Sequence, residues 1–231
     1  MFPLQHNKRV LDKYGWTNGG IGSECTSFRN NIVYLIFIMI KALIFDFAGV
    51  ITLKDAYWDW LHENIKDLGS KRHIFEKLSA DVDRAAITHE EFLNGFAEAA
   101  GIKAEEVWPN LKERFVPNEE LIANIRELKK KYKIGLLSNF TYPWLKELLD
   151  ELDLYECFDH TLISSQEKII KPDPRFFHKM LGLLGVRAEE AMFFDDKQSN
   201  IDGAQHLGIH AFLFTTNEKF KEDLGVAGTT N

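Results

Sequence analysis

The sequence predicts an α/β protein: a doubly wound, parallel Rossmann-like sheet with an inserted α-helical cap. Three observations carry this expectation. Short apolar runs recur along the chain with helical patterns between them, the alternation that builds an α/β sheet. The first run, Ala42 to Phe47, is nearly unbroken, as in a parallel strand buried on both faces. Between it and the second run lie about 80 residues with no convincing strand.

Taken in order, residues 1 to about 31 are polar and irregular, with Gly19, Gly20 and Gly22 close together. An apolar stretch, Ile32 to Ile40, follows and ends at Lys41. It is too short for a bilayer, which needs about 20 residues, and no small-residue cleavage site precedes the next strand. Residues 1–38 are therefore read as an N-terminal extension, non-native or disordered, with Met39 as the natural start of the domain. The strand Ala42 to Phe47 is closed by Ala48-Gly49.

The long strandless block begins with an amphipathic pattern, Tyr57 to Leu68. Thr88 and Glu91 form a capping-box pattern ahead of Phe92, Leu93 and Phe96, and Asn118 is an N-cap for Leu121 to Tyr132. Residues 54–131 are assigned to a helical cap, and residues 39–53 and 132–231 to the catalytic core. Later strand runs are Ile134 to Leu137, a weaker His160 to Ile163, Met192 to Phe194, and Ile209 with Ala211 to Phe214. Helical patterns at Tyr142 to Leu152, Arg175 to Leu184 and Asn200 to Leu207 separate them.

Composition is that of a globular protein: 231 residues, 45% hydrophobic and 27% charged, with eighteen phenylalanines for the core. The net charge of -7 argues against nucleic acid, whose phosphates demand a basic surface. The lysines at 129, 130, 131 and 133 read as a solvated helix end, where cations complement the dipole. Cys25 and Cys157 have no metal-ligand spacing and suggest no disulfide framework, so a cytoplasmic location is expected. No membrane partner is expected either.

In open parallel sheets ligands bind outside the carboxyl ends of the strands. Those ends present Asp46, then Ser138-Asn139, then Lys171-Pro172 in a following loop, then Asp195-Asp196. The chemistry is coherent: carboxylates hold Mg²⁺, a carboxylate can attack phosphorus, and hydroxyl, backbone and ammonium donors can cradle a phosphoryl group. Each residue alone also has a plain role as a turn former, a helix cap or a surface lysine.

This order of motifs resembles the haloacid dehalogenase superfamily of hydrolases, over about residues 40 to 220. The inserted helices look like its small α-helical cap. The group most similar contains bacterial α-glucose-1-phosphate phosphatases and the phosphatase domain of soluble epoxide hydrolases. The resemblance implies a Mg²⁺-dependent phosphohydrolase in which Asp46 is the nucleophile and, with the Ala48 carbonyl, a metal ligand. It implies Asp196 as the direct acidic ligand and Asp195 as a ligand through water. Ser138, Asn139 and Lys171 are implied to hold the phosphoryl group. The implied partner is a small phosphorylated metabolite, a sugar phosphate being one candidate, for a monomer or homodimer.

The chain departs from the family at Ala48, where most of its phosphatases carry a second Asp for general acid-base work. Losing such a group typically costs a factor of roughly 10² to 10⁴. Another group can supply the proton, the substrate can have a good leaving group, or the protein is a non-catalytic phosphate-ligand-binding regulator. The acidic pair favours phosphate over dehalogenation, whose family enzymes lack it. Its late place in the chain argues against a two-component receiver domain. Tyr57, Trp58 and Trp60 are candidates for substrate contact, with packing of cap on core as the alternative.

Overall fold

The computed structural model describes residues 40–53 and 56–228. The expectations about residues 1–38 and Met39 fall outside the described residues.

Five strands form one parallel sheet: β1 (Ala42–Phe45), β2 (Lys133–Ser138), β3 (His160–Ile163), β4 (Ala191–Asp195) and β5 (His210–Leu213). Their order is β3-β2-β1-β4-β5, so β1 is central and pairs with both β2 and β4. The chain winds outward to one side of β1, returns, and winds to the other. The point of reversal is where such sheets bind ligands.

Alternation along each strand sorts side chains to two faces. Leu43, Phe45, Ile134, Leu136, Met192 and Phe194 share one buried cluster. Against it pack α5 (Glu119–Leu128), α6 (Tyr142–Glu151) and α9 (Asn217–Gly228). Ala42, Ile44, Leu137 and Phe193 face the opposite cluster, covered by α7 (Pro174–Leu184) and α8 (Gln198–His206). Gly135 in β2 lets α7 sit close, since a Cβ there would meet Met180 Sδ at 2.7 Å.

The insertion is helical: α1 (Ala56–Asn64), α2 (Leu68–Asp83), α3 (His89–Ala100) and α4 (Ala104–Lys112). It has its own core of Trp60, Leu61, Phe75, Phe92, Phe96 and Val107, joined by Trp144 from α6. The capping box forms at α3, where Thr88 accepts from the Glu91 backbone and Glu91 accepts from Thr88 N–H at 2.7 Å. The single amphipathic segment expected from Tyr57 to Leu68 is instead the helix α1 and the start of α2.

Asn118 does cap a helix, accepting from Leu121 N–H, but that helix, α5, places Leu121, Ile122 and Ile125 in the core of the sheet. Amphipathic periodicity tells which face is buried and not against what. The cap leaves and rejoins the core at a short antiparallel bridge, Thr52 with Pro117. Leu53 N–H donates to Val116 O at 2.9 Å, and Asn118 N–H to Ile51 O at 2.8 Å. Asn118 and Asn217 exchange side-chain amide hydrogen bonds of 2.9 and 3.0 Å, tying this junction to α9. No helix among the described residues is long and apolar enough to cross a membrane.

Candidate active site

Parallel pairing sets the carboxyl ends of β1, β2 and β4 side by side, so residues distant in sequence meet at one rim. Lys171 joins them from the loop after β3. Its ammonium lies 2.7 Å from Asp46 Oδ1 and 2.7 Å from Asp195 Oδ2, with its side chain fully buried. The ring of Phe193 lies 5.5 Å from the same ammonium. Lys171 is held by Asn139, whose Oδ1 accepts from Lys171 N–H at 2.8 Å and whose Nδ2 donates to Lys171 O at 3.0 Å. The Asn139 amide side chain therefore sets the loop that carries the lysine.

Asp195 is fully buried and saturated by protein donors. It accepts from Lys171 Nζ, from Lys197 N–H at 2.8 Å, and from Asn200 Nδ2 at 3.0 Å to each oxygen. Asn200 did not stand out in the sequence. Its only signal is position, in the first turn of the helix after the acidic pair, from which a side chain reaches back. Asp196, next along, is half-buried.

The chain between β1 and the cap turns at Phe47–Ile51, where Ala48 is extended and Gly49 has φ +80°. A Cβ on Gly49 would stand 2.6 Å from Asp196 Oδ2, so the glycine admits both the backbone conformation and the close approach of that carboxylate.

Asp46, Asp195 and Asp196 each offer an oxygen within 4.8 Å of the others. Burial, with Asp195 and Asp196 adding to it and Lys171 opposing it, pushes Asp46 up to about 7. Burial would lower Lys171, but Asp195 and Asp46 outweigh it and hold its pKa above the ordinary lysine value. Three carboxylates against one enclosed ammonium leave an excess of negative charge away from bulk water. That excess and an all-oxygen donor set fit a hard divalent cation. Ser138, only 1% exposed at the end of β2, has a hydroxyl with no protein partner among the described residues. Buried hydroxyls are normally paired, so this one is suited to a ligand.

A pocket of about 80 Å³ opens beside this cluster, floored by Ala48, Asn139 and Lys197 and walled by cap residues including Tyr57, Trp58 and Asp83. Trp60 is 5% exposed, is not among the residues lining this pocket, and packs on Phe96 with ring centroids 5.5 Å apart. On α1 it belongs to the buried face, whereas Tyr57 and Trp58 reach the pocket.

Comparison with known proteins agrees with this architecture. Residues 40–208 match the family described as haloacid dehalogenase-like hydrolase. The chain is 25% identical over 173 residues to the sesquiterpene phosphatase astK of Aspergillus oryzae, across 73% of this chain and 87% of that one. It is 34% identical over 105 residues to glyceraldehyde 3-phosphate phosphatase of Pyrococcus abyssi, spanning 44% of this chain and only 42% of that relative. Among solved structures, a HAD-family enzyme from Bacteroides thetaiotaomicron superposes with a TM-score of 0.69 at 23% identity, covering 80% of this chain and 98% of that chain. The same enzyme in complex with magnesium and inorganic phosphate gives 0.66 at 22% identity, covering 79% and 98%. The family match takes in β1 to β4, the inserted helices and all four strand-end motifs, and the chain belongs to the haloacid dehalogenase-like hydrolases, as an enzyme of their phosphatase type.

Proposed function

We propose that the chain is a phosphomonoesterase acting on a small phosphorylated metabolite, with Asp46 as covalent nucleophile. The observation that carries this reading is the buried carboxylate of Asp46, clamped by Lys171 at 2.7 Å inside the cluster with Asp195 and Asp196. Asp46, the Ala48 carbonyl and Asp196 would hold Mg²⁺, with Asp195 behind them. The bound ion would screen the charge between an anionic substrate and the carboxylate that attacks it.

The chain's own residues divide the remaining work. Asp195 and Asn139 fix Lys171, one through its ammonium and one through its backbone. Lys171 orients Asp46 and offers positive charge to the phosphoryl oxygens. The Ser138 hydroxyl, without a partner among the described residues, is the natural donor to one of those oxygens. An Asp46 oxygen attacks phosphorus, the ester oxygen leaves, and water then cleaves the aspartyl phosphate. Asn in place of Asp46 keeps the shape but loses the nucleophile. Asp46→Asn should abolish Mg²⁺-dependent phosphate release from acetyl phosphate while the far-ultraviolet circular dichroism stays that of the wild type. Retained release would sink the assignment.

One observation supports a second reading, a phosphate-binding regulator without turnover: no acid-base carboxylate stands at Ala48. Against it, Asp83 of α2 lines the same pocket as Ala48 and offers a carboxylate there. Ala48→Asp separates the cases. A tenfold or greater rise in rate means that the missing group limits catalysis, and an unchanged rate means that another residue fills its place.

A further inference from the structure

The leaving group of a phosphate ester attacked at Asp46 must lie over Ala48, between the rim of the sheet and the cap. That space is the pocket described above, and its chemistry is uneven. Its cap wall is Tyr57, Trp58, Val82 and Phe92. Its core wall is Phe115, Phe140 and Trp144. Five polar side chains also line it, Ser79, Asp83, Asn139, Thr141 and Lys197; of these Asn139 is held by the Lys171 backbone, and Thr141 meets His89, with Oγ1 and Nδ1 3.2 Å apart.

These walls are braced. Trp58 stands edge-on to Tyr57 at 5.4 Å, and the Arg72 guanidinium lies 4.9 Å from the Trp58 ring. Trp144 stacks on Trp108 at 4.4 Å and takes the edge of Phe92 at 5.5 Å. The Tyr57 hydroxyl is spent on Phe75 O at 2.9 Å, which leaves its ring as the surface it brings to the pocket.

From this lining we infer that the pocket takes a small hydrocarbon leaving group of about ring size, and that sugar phosphates are poor substrates. A hexose brings hydroxyls that need partners around the whole ring, and the aromatic part of the wall leaves those that face it unpaired. Size sets the upper limit. A cavity of about 150 Å³ accepts benzene. A pocket of about 80 Å³ holds most of one ring or a short branched chain. Ala48 is consistent with such an ester. A phenolic oxygen leaves as an anion of pKa about 10 and needs less protonation than an aliphatic alcohol does. The inference rests on the phosphomonoesterase reading for its meaning, but the pocket's preference can be measured without turnover.

The test is calorimetric titration of the full chain, with Mg²⁺ saturating, using phenylphosphonate and methylphosphonate. Phenylphosphonate should bind at least tenfold more tightly, and Trp58→Ala should remove most of that preference while changing methylphosphonate affinity by less than about threefold. In parallel, kcat/KM for phenyl phosphate should exceed that for glucose 1-phosphate by at least tenfold. Equal phosphonate affinities, or a glucose 1-phosphate value matching phenyl phosphate, would overturn the inference. A clear phosphonate preference with no ester hydrolysed would support the pocket assignment and instead overturn the phosphomonoesterase reading.

Discussion

Gly49 is the residue on which the geometry of the acidic cluster turns. Its φ of +80° is costly for any residue with a Cβ, by roughly 1–2 kcal/mol, and that Cβ would intrude on Asp196. Gly49→Ala should therefore act mainly on cation binding rather than on the fold of the sheet. The expected outcome is at least a tenfold rise in the Mg²⁺ concentration needed for half-maximal thermal stabilisation, read by differential scanning fluorimetry. An unchanged Mg²⁺ midpoint would show that Asp196 has room to adjust. The sequence shows Gly49 only as the end of a strand, because contact between residues 49 and 196 exists only after β1 and β4 pair. The same limit hid Asn200, whose role depends on where Asp195 points. The carboxylates, the serine and the lysine could be read earlier because parallel strands bring their carboxyl ends to one edge whatever the intervening sequence.

At the scale of elements, α3 carries a latch between cap and core. His89, in its first turn, meets Thr141 at the start of α6 and stands edge-on to Trp144 at 5.0 Å. Burial holds His89 below the usual histidine pKa. Above about pH 6.5 the imidazole is neutral in both folded and unfolded chains, and this contact is fully present. As the pH falls below that value the unfolded chain takes up the proton first, so stability is lost until the folded pKa is reached. His89→Gln should flatten the fall in melting temperature between pH 7 and 5.5 relative to wild type. Parallel curves for the two proteins would remove His89 from that role. The strands were legible because burial on both faces leaves continuous apolar runs, as in Ala42–Phe45. The helix α2 was not, because its buried residues Leu68, Phe75 and Val82 recur only once in two turns. A stripe that sparse is lost among polar neighbours.

For the whole molecule, the bridge between Thr52 and Pro117 has a kinetic consequence. The central strand β1 must find β2 across the longest sequence gap between successive strands of the sheet. Loop-closure entropy grows only slowly with length, about 0.6 kcal/mol for each doubling, yet it is met before the strand contacts repay it. A helical insertion with its own hydrophobic cluster, and with its ends pinned together, shortens that gap once it condenses. The cap would then act as a folding clamp as well as a roof. A circular permutant opened in the turn between α2 and α3, with the original termini joined, lacks this short cut. It should refold more slowly than the parent in stopped-flow experiments, with an unfolding rate that rises far less, because the contacts that hold the native sheet are unchanged.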